Sequence, residues 1–170
     1  MTSGLHGAWE GAGALAALDF APSSSEPGCE PSTLLITAMA PGLIVRVNEG
    51  VVVLDLDGDG NEQTGWVILY LHISHENRRV EGEFVDRGAI LGVPSCEGGQ
   101  STGTHVHVAR KYNGEWLDAG GPLPFVLSGW ETVSAGIPYQ GSLSREGQTV
   151  TACTCSNVNA RISKSPSDPY

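Results

Sequence analysis

The segment Gly103-Thr104-His105-Val106-His107-Val108 sets two histidines two positions apart in a run with β-branched neighbours. β-branched side chains favour extended backbone, and alternate side chains of a strand share one face, roughly 7 Å apart along the chain. The segment therefore asks for a strand that holds both imidazoles over one pocket. Asn113-Gly114 follows as a strong hairpin turn, with Glu115-Trp116-Leu117 returning from it.

The rest of the chain extends that reading. Its 170 residues include 23 glycines and 10 prolines, and no long stretch has the apolar period of a helix. Residues 4–22 are glycine-rich and read as a loop entering a short strand that ends near Phe20. Residues 23–33 read as a surface loop, and 34–39 as a strand. Residues 43–47 and 51–56 form a hairpin across Asn48-Glu49-Gly50, and 66–73 return after a polar turn at 57–64. Residues 78–83 are a charged connection, 84–91 a short extended piece turning at Gly88, and 104–111 the histidine strand. Residues 122–130 read as a helical turn carrying an aromatic cover, with Tyr112, Trp116, Phe125 and Trp130 as packing residues or the wall of a groove. Closely spaced strands without helices between them give an all-β fold with minor α content. We expect a twisted antiparallel sheet with a groove roofed by loops.

The formal charge of −10, without a Lys/Arg cluster, excludes nucleic acid and anionic membrane as natural partners. No apolar run approaches the ~20 residues of a membrane span. Residues 2–5 lack a basic region and the apolar run at 11–18 stops at Asp19, so we read no secretory leader here; an exported protein would be a trimmed form. The four cysteines, Cys29, Cys96, Cys153 and Cys155, permit two disulfides in three connectivities, and the loop-rich composition favours an oxidised, exported chain over one with buried thiols.

The chain has five histidines. A catalytic zinc takes three protein ligands and leaves a position for water, and His6, Asp19 and His107 could supply a His/Asp/His set. The helical H-E-x-x-H signature is absent. His75 fits no motif and reads as a surface residue. Asp55, Asp57 and Asp59 resemble the start of a D-x-D-x-D-G calcium loop, but the twelfth position is Trp66 rather than Glu. The stretch reads first as a polar hairpin turn, with a weak structural calcium as the alternative.

Taken together, these motifs resemble the lysostaphin-type (LytM-like) zinc metalloendopeptidases, a family of peptidoglycan hydrolases. That family's pattern is a first His followed by an Asp, then Tyr-x-His, then Gly-x-His-x-His. Here the pattern is His6 and Asp19, Tyr70-Leu71-His72, and Gly103-Thr104-His105-Val106-His107. Between them, Ala40-Pro41-Gly42-Leu43-Ile44-Val45, residues 82–88 and Ile90-Leu91-Gly92 resemble the intervening family segments. The order holds over residues 6–110. One departure is the first spacing: three residues commonly separate the first His from the Asp, and here there are twelve.

The resemblance implies a lysostaphin-like peptidase fold and one Zn2+ per chain, held by His6, Asp19 and His107. His72 and His105 would be the catalytic pair, with His105 favoured as base and His72 as stabiliser, although the sequence does not separate these roles. It also implies a Cys29–Cys96 disulfide beside the site; Cys153 and Cys155 would then pair or stay reduced. The substrate would be a peptide bond of a peptidoglycan stem or glycine-containing cross-bridge. The protein would be secreted or associated with the cell wall, and monomeric. The rival reading keeps the fold without catalysis, as a module that binds cell-wall peptide or regulates a hydrolase. A calcium-stabilised adhesion domain would rest on the aspartate loop alone. We expect a metallopeptidase domain over 1–130, an extension packed on or near it over 131–160, and a disordered tail over 161–170.

Overall fold

The computed structural model describes residues 1–23, 28–153 and 158–164. Cys155 and most of the expected tail (165–170) lie outside the described residues. The strands are β1 (Ser3–His6), β2 (Ala17–Phe20), β3 (Ile36–Thr37), β4 (Gly42–Asn48), β5 (Val51–Asp55), β6 (Trp66–Leu71) and β7 (Phe84–Val85). They continue as β8 (Ile90–Gly92), β9 (Val106–Tyr112), β10 (Glu115–Trp116), β11 (Val126–Leu127), β12 (Trp130–Val133), β13 (Ser142–Arg145) and β14 (Gln148–Thr151). The expected antiparallel all-β architecture is what forms; a 3₁₀ turn at Val158–Ala160 is the one helical element among the described residues.

The large sheet runs β1-β2-β9-β6-β5-β4-β7, with β10 attached to β9 across the Asn113-Gly114 turn. The histidine strand thus lies between β2 and β6, paired on both edges. One face carries Leu18, Ile44, Val52, Leu54, Ile68, Tyr70 and Val108 into the main core. The opposite face carries Val51, Val53, Val67, Leu69 and Leu71, partly covered by Trp9 and Trp116. A paired, doubly flanked strand cannot slip register without moving its apolar set to the wrong face, so β9 is a rigid base for its histidines.

Two regions differ from the sequence reading. Residues 122–130 hold no helical turn: β11 and β12 form a hairpin, pairing Leu127 with Trp130 across Ser128-Gly129. Both loop residues have positive φ (50° and 80°), the geometry a two-residue β-hairpin needs and a helix excludes. Residues 131–151, which carry little pattern in the sequence, join residues 126–130 in a second sheet, β11-β12-β13-β14. Its apolar signal is thin because β13 and β14 each bury a single large residue, Leu143 and Val150, against the main core. The expected strand over 34–39 is shorter, limited to β3.

Candidate metal centre

Register explains how residues far apart in sequence meet. Asp19 on β2 is the cross-strand partner of His107 on β9, so their side chains project from the same face. β1 reaches this face through a bulge: Ser3 pairs with Asp19 but His6, not Leu5, pairs with Ala17. The extra residue reverses the alternation, sending Leu5 into the core, where it is fully buried, and His6 to the side of Asp19. The glycine-rich reading of 4–22 missed this strand.

The three side chains form a tight triangle. His6 Nε2 is 3.0 Å from His107 Nδ1 and 3.3 Å from Asp19 Oδ1, and His107 Nδ1 is 3.1 Å from Asp19 Oδ1. All three residues are at least nine-tenths buried. Four-coordinate zinc with ligand bonds of roughly 2.0–2.1 Å separates its ligand atoms by roughly 3.3 Å. The triangle therefore has the edge length of one face of that tetrahedron.

The remaining ring nitrogens are occupied. His6 Nδ1 donates to the Gly4 carbonyl (2.8 Å) and His107 Nε2 to the Ala8 carbonyl (2.8 Å). A carbonyl only accepts, so each neutral ring spends its single hydrogen outward. Two lone pairs and a carboxylate oxygen are left facing one another at hydrogen-bond distance in a buried site. Such a set needs a cation at its middle. In the metal-free chain a proton on the facing nitrogens can fill that role: burial would raise Asp19, but hydrogen bonds from His107 and His6 in their protonated form, and the charge they then carry, hold it well below the usual carboxylate range. Burial would lower His6, but the bond to Asp19 and its charge raise it. Outward N–H bonds to backbone carbonyls are the usual arrangement around ligating imidazoles.

His72 and His105 complete the group. β6 would place His72 on the core side with Tyr70, but its φ of +64° breaks the alternation and turns the ring toward the site. A non-glycine residue held there costs of order 1–3 kcal/mol and persists only where its surroundings fix it. Here the Glu97 carbonyl accepts from His72 Nδ1 (2.8 Å) and the Ser95 N–H donates to the His72 carbonyl (2.7 Å). The His72 ring lies 4.4 Å from that of His105 and 6.3 Å from that of His107. His105 donates from Nδ1 to the Gly103 carbonyl (2.7 Å), leaving Nε2 3.6 Å from Asp19 Oδ2. Burial and the neighbouring His105 charge push His72 down to about 4, so its resting form is neutral.

This assembly can be compared with known proteins. The chain resembles the M23 metalloprotease pseudoalterin from the deep sea, with a TM-score of 0.68 and 23% identity over 88% of this chain and 87% of that one. The chain has the M23 metallopeptidase fold. The resemblance read from the motifs is borne out by this likeness. Beta-lytic metalloendopeptidase of Lysobacter enzymogenes is 31% identical over 87 residues, covering 48% of this chain and 47% of that protein. The chain thus spans about half the length of the curated relative it matches. The catalytic domain of lysostaphin from Staphylococcus simulans gives a TM-score of 0.48 at 23% identity, over 70% of this chain and 86% of that one. No family model matches the chain.

Within this M23 fold the other singled-out residues separate clearly. Cys29 and Cys96 are disulfide-bonded, with Cα atoms 5.7 Å apart. Cys153 is also disulfide-bonded. His75 is exposed and pairs with the Glu97 carboxylate (2.8 Å), away from the centre. The Asp55, Asp57 and Asp59 carboxylates cluster at the β5–β6 turn. Their oxygens accept backbone N–H groups: Gly60 to Asp55 (2.8 Å), Asp59 to Asp57 (3.4 Å) and Asn61 to Asp59 (2.8 Å). That is how a polar turn is built. Sequence reasoning missed the backbone carbonyls of Gly4, Ala8 and Glu97, which carry no side-chain signal, and Tyr139, which stacks on His6 from the connection between β12 and β13.

Proposed function

We propose that the chain is a zinc-dependent endopeptidase, with His6, Asp19 and His107 as metal ligands and His72 and His105 as the catalytic pair. The observation that carries the reading is the convergence of three buried acceptors, at zinc-ligand spacing, with both imidazole hydrogens committed outward. When bound, zinc lowers the pKa of water toward ~7 and polarises a peptide carbonyl.

The chain's own residues supply the proton handling. His72 and His105 each spend one hydrogen on a backbone carbonyl, so both resting rings offer Nε2 as an acceptor. His105 Nε2 lies 3.6 Å from Asp19 Oδ2, at the edge of the ligand triangle where a bound water would sit. We therefore assign His105 as the base that takes the proton of the attacking water and returns it to the leaving amine. The stabilising role expected of His72 needs a hydrogen on Nε2, and the Glu97 carbonyl holds that hydrogen at Nδ1. His72 serves instead as a neutral acceptor that orients the attacking water.

We further propose that the substrate is a glycine-containing stem or cross-bridge peptide of peptidoglycan. The relative named beta-lytic metalloendopeptidase supports internal peptide-bond cleavage, and the lysostaphin-type motifs read in the sequence support the peptidoglycan part of this reading. The Cys29–Cys96 disulfide also fits a secreted or wall-associated location.

The test is cleavage by the zinc-loaded chain of glycine-rich peptides and of isolated walls, read as new amino termini by mass spectrometry. Cleavage by the wild type, lost in His105→Ala, is expected. Zinc uptake with no cleavage of either substrate would move the chain to the peptide-binding alternative.

A further inference from the structure

Tyr139 lies outside every motif, more than thirty positions beyond His107 in sequence, yet its ring stacks on the His6 imidazole with centroids 4.8 Å apart and planes 23° from parallel. The tyrosine is 60% exposed, so burial of its own surface does not explain its placement. Its φ is +67°, a conformation that is a genuine outlier for a bulky side chain. Backbone bonds to β1 hold it there. The Tyr139 N–H donates to Leu5 O (2.8 Å), Gly4 N–H to Tyr139 O (3.1 Å), and Leu5 N–H to Gln140 O (3.2 Å).

These contacts address a weakness of β1. It is four residues long, lies at the edge of the large sheet, and is bulged on its paired side. The imidazole it presents is fixed at one edge by the Gly4 carbonyl and met edge-on by His107, with ring centroids 4.8 Å apart at 75°. A rotation of the His6 ring would keep its backbone position but turn Nε2 out of the triangle. The flat contact with Tyr139 opposes that rotation. It is also the ring contact by which the β12–β13 connection touches the ligand group.

We propose that Tyr139 is a positioning residue of the metal centre: its ring fixes the plane of His6, and through it the β12–β13 connection completes the site. This rests on the metal-binding reading above. Strained residues that their neighbours hold in place cluster at functional sites, which suits such a role.

The test is zinc affinity, measured by chelator competition on the full chain, for wild type, Tyr139→Phe and Tyr139→Gly. Glycine removes the ring while relieving the positive φ, so folding is not penalised by backbone strain. Loss of a partner that orients a ligand costs roughly 10–100-fold in metal affinity. We expect that loss in Tyr139→Gly, with a thermal midpoint of the metal-free chain close to wild type, and affinity within about twofold of wild type in Tyr139→Phe, which keeps the stack. Wild-type affinity in a folded Tyr139→Gly chain overturns the proposal. So does equal loss in the phenylalanine variant, which would give the role to the hydroxyl. If the wild type takes up no zinc, the metal centre itself fails and this proposal fails with it.

Discussion

His107 Nε2 lies 2.8 Å from the carbonyl oxygen of Ala8, a residue of the twelve-residue stretch that separates His6 from Asp19. That stretch is the chain's main departure from the motif spacing it resembles, and the bond gives it a purpose. The Ala8 N–H donates to the carbonyls of Ala12 and Gly13, closing a compact turn, while Ala8, Ala16 and Ala17 pack on Ala109 and Trp116. The small side chains let the loop lie close enough to the sheet for its backbone to reach His107. The insertion orients a candidate ligand.

Gly13 is the point at which this can be tested. Its φ is +64°, and an added Cβ would come within 2.8 Å of both the Ala8 and Trp116 Cβ atoms. Gly13→Val should push Ala8 off His107. We expect a stability loss of roughly 1–3 kcal/mol from overpacking, and zinc affinity roughly 10–100-fold weaker from the lost outer bond. Denaturant titration and chelator competition measure the two effects. Unchanged zinc affinity in a destabilised chain would show that the loop only packs.

Removing a ligand and removing a proton acceptor should give different phenotypes. Asp19→Asn takes away the carboxylate charge at the triangle, and zinc uptake should fall by more than the roughly 10–100-fold that an outer-shell loss produces. His105→Ala leaves the triangle whole. It should keep about one zinc per chain while peptide cleavage drops by roughly 10²–10⁴. Metal content by plasma mass spectrometry, set beside cleavage rates for both variants, separates them. A zinc-free His105→Ala chain would make that residue a ligand instead.

Much of this was legible in the sequence, and particular residues show where legibility stopped. The alternation of His105 and His107 places both on one face, and register then sets Asp19 opposite His107 as strands of that pattern require. The β1 bulge was not legible. Ser3-Gly4-Leu5-His6 gives no strand signal, because a single extra residue decides which side chain faces the site and only pairing with Ala17 reveals it. The left-handed turn at His72 is equally silent, being imposed by the Glu97 and Ser95 segment more than twenty residues away. The second sheet escaped notice because its strands are short and bury few large side chains.

The lowered His72 group should leave a mark on stability. In the metal-free folded chain, burial and the His105 charge bring it from 6.5 to about 4. Between those values the unfolded chain binds the proton more readily, so stability rises with pH across the window. The His72 contribution is complete above the unfolded value and is lost as pH falls through the folded one. His72→Asn removes it, and asparagine tolerates the positive φ at this position. Urea midpoints in chelator should therefore fall more steeply for wild type than for His72→Asn between about pH 7 and about pH 4. Parallel curves would contradict the shift.

The Cys29–Cys96 bond ties the 28–30 loop to the segment leading into β9. Thr104 N–H donates to the Gly28 carbonyl (3.0 Å) and the Thr104 hydroxyl to the Glu30 carbonyl, one residue before His105. The bond closes a 67-residue separation, for which the chain-entropy account gives about 4 kcal/mol of stabilisation. Paired Cys29→Ser and Cys96→Ser changes should cost about that much in denaturant unfolding. They should also loosen the Gly103 carbonyl that holds His105 Nδ1 (2.7 Å), lowering kcat more than zinc affinity, because the ligand triangle is built on β1, β2 and β9. Zinc titration and peptide cleavage on the same double variant decide this. If kcat survives while stability falls, the bond braces the fold alone; if zinc binding fails first, the loop supports the triangle rather than the base.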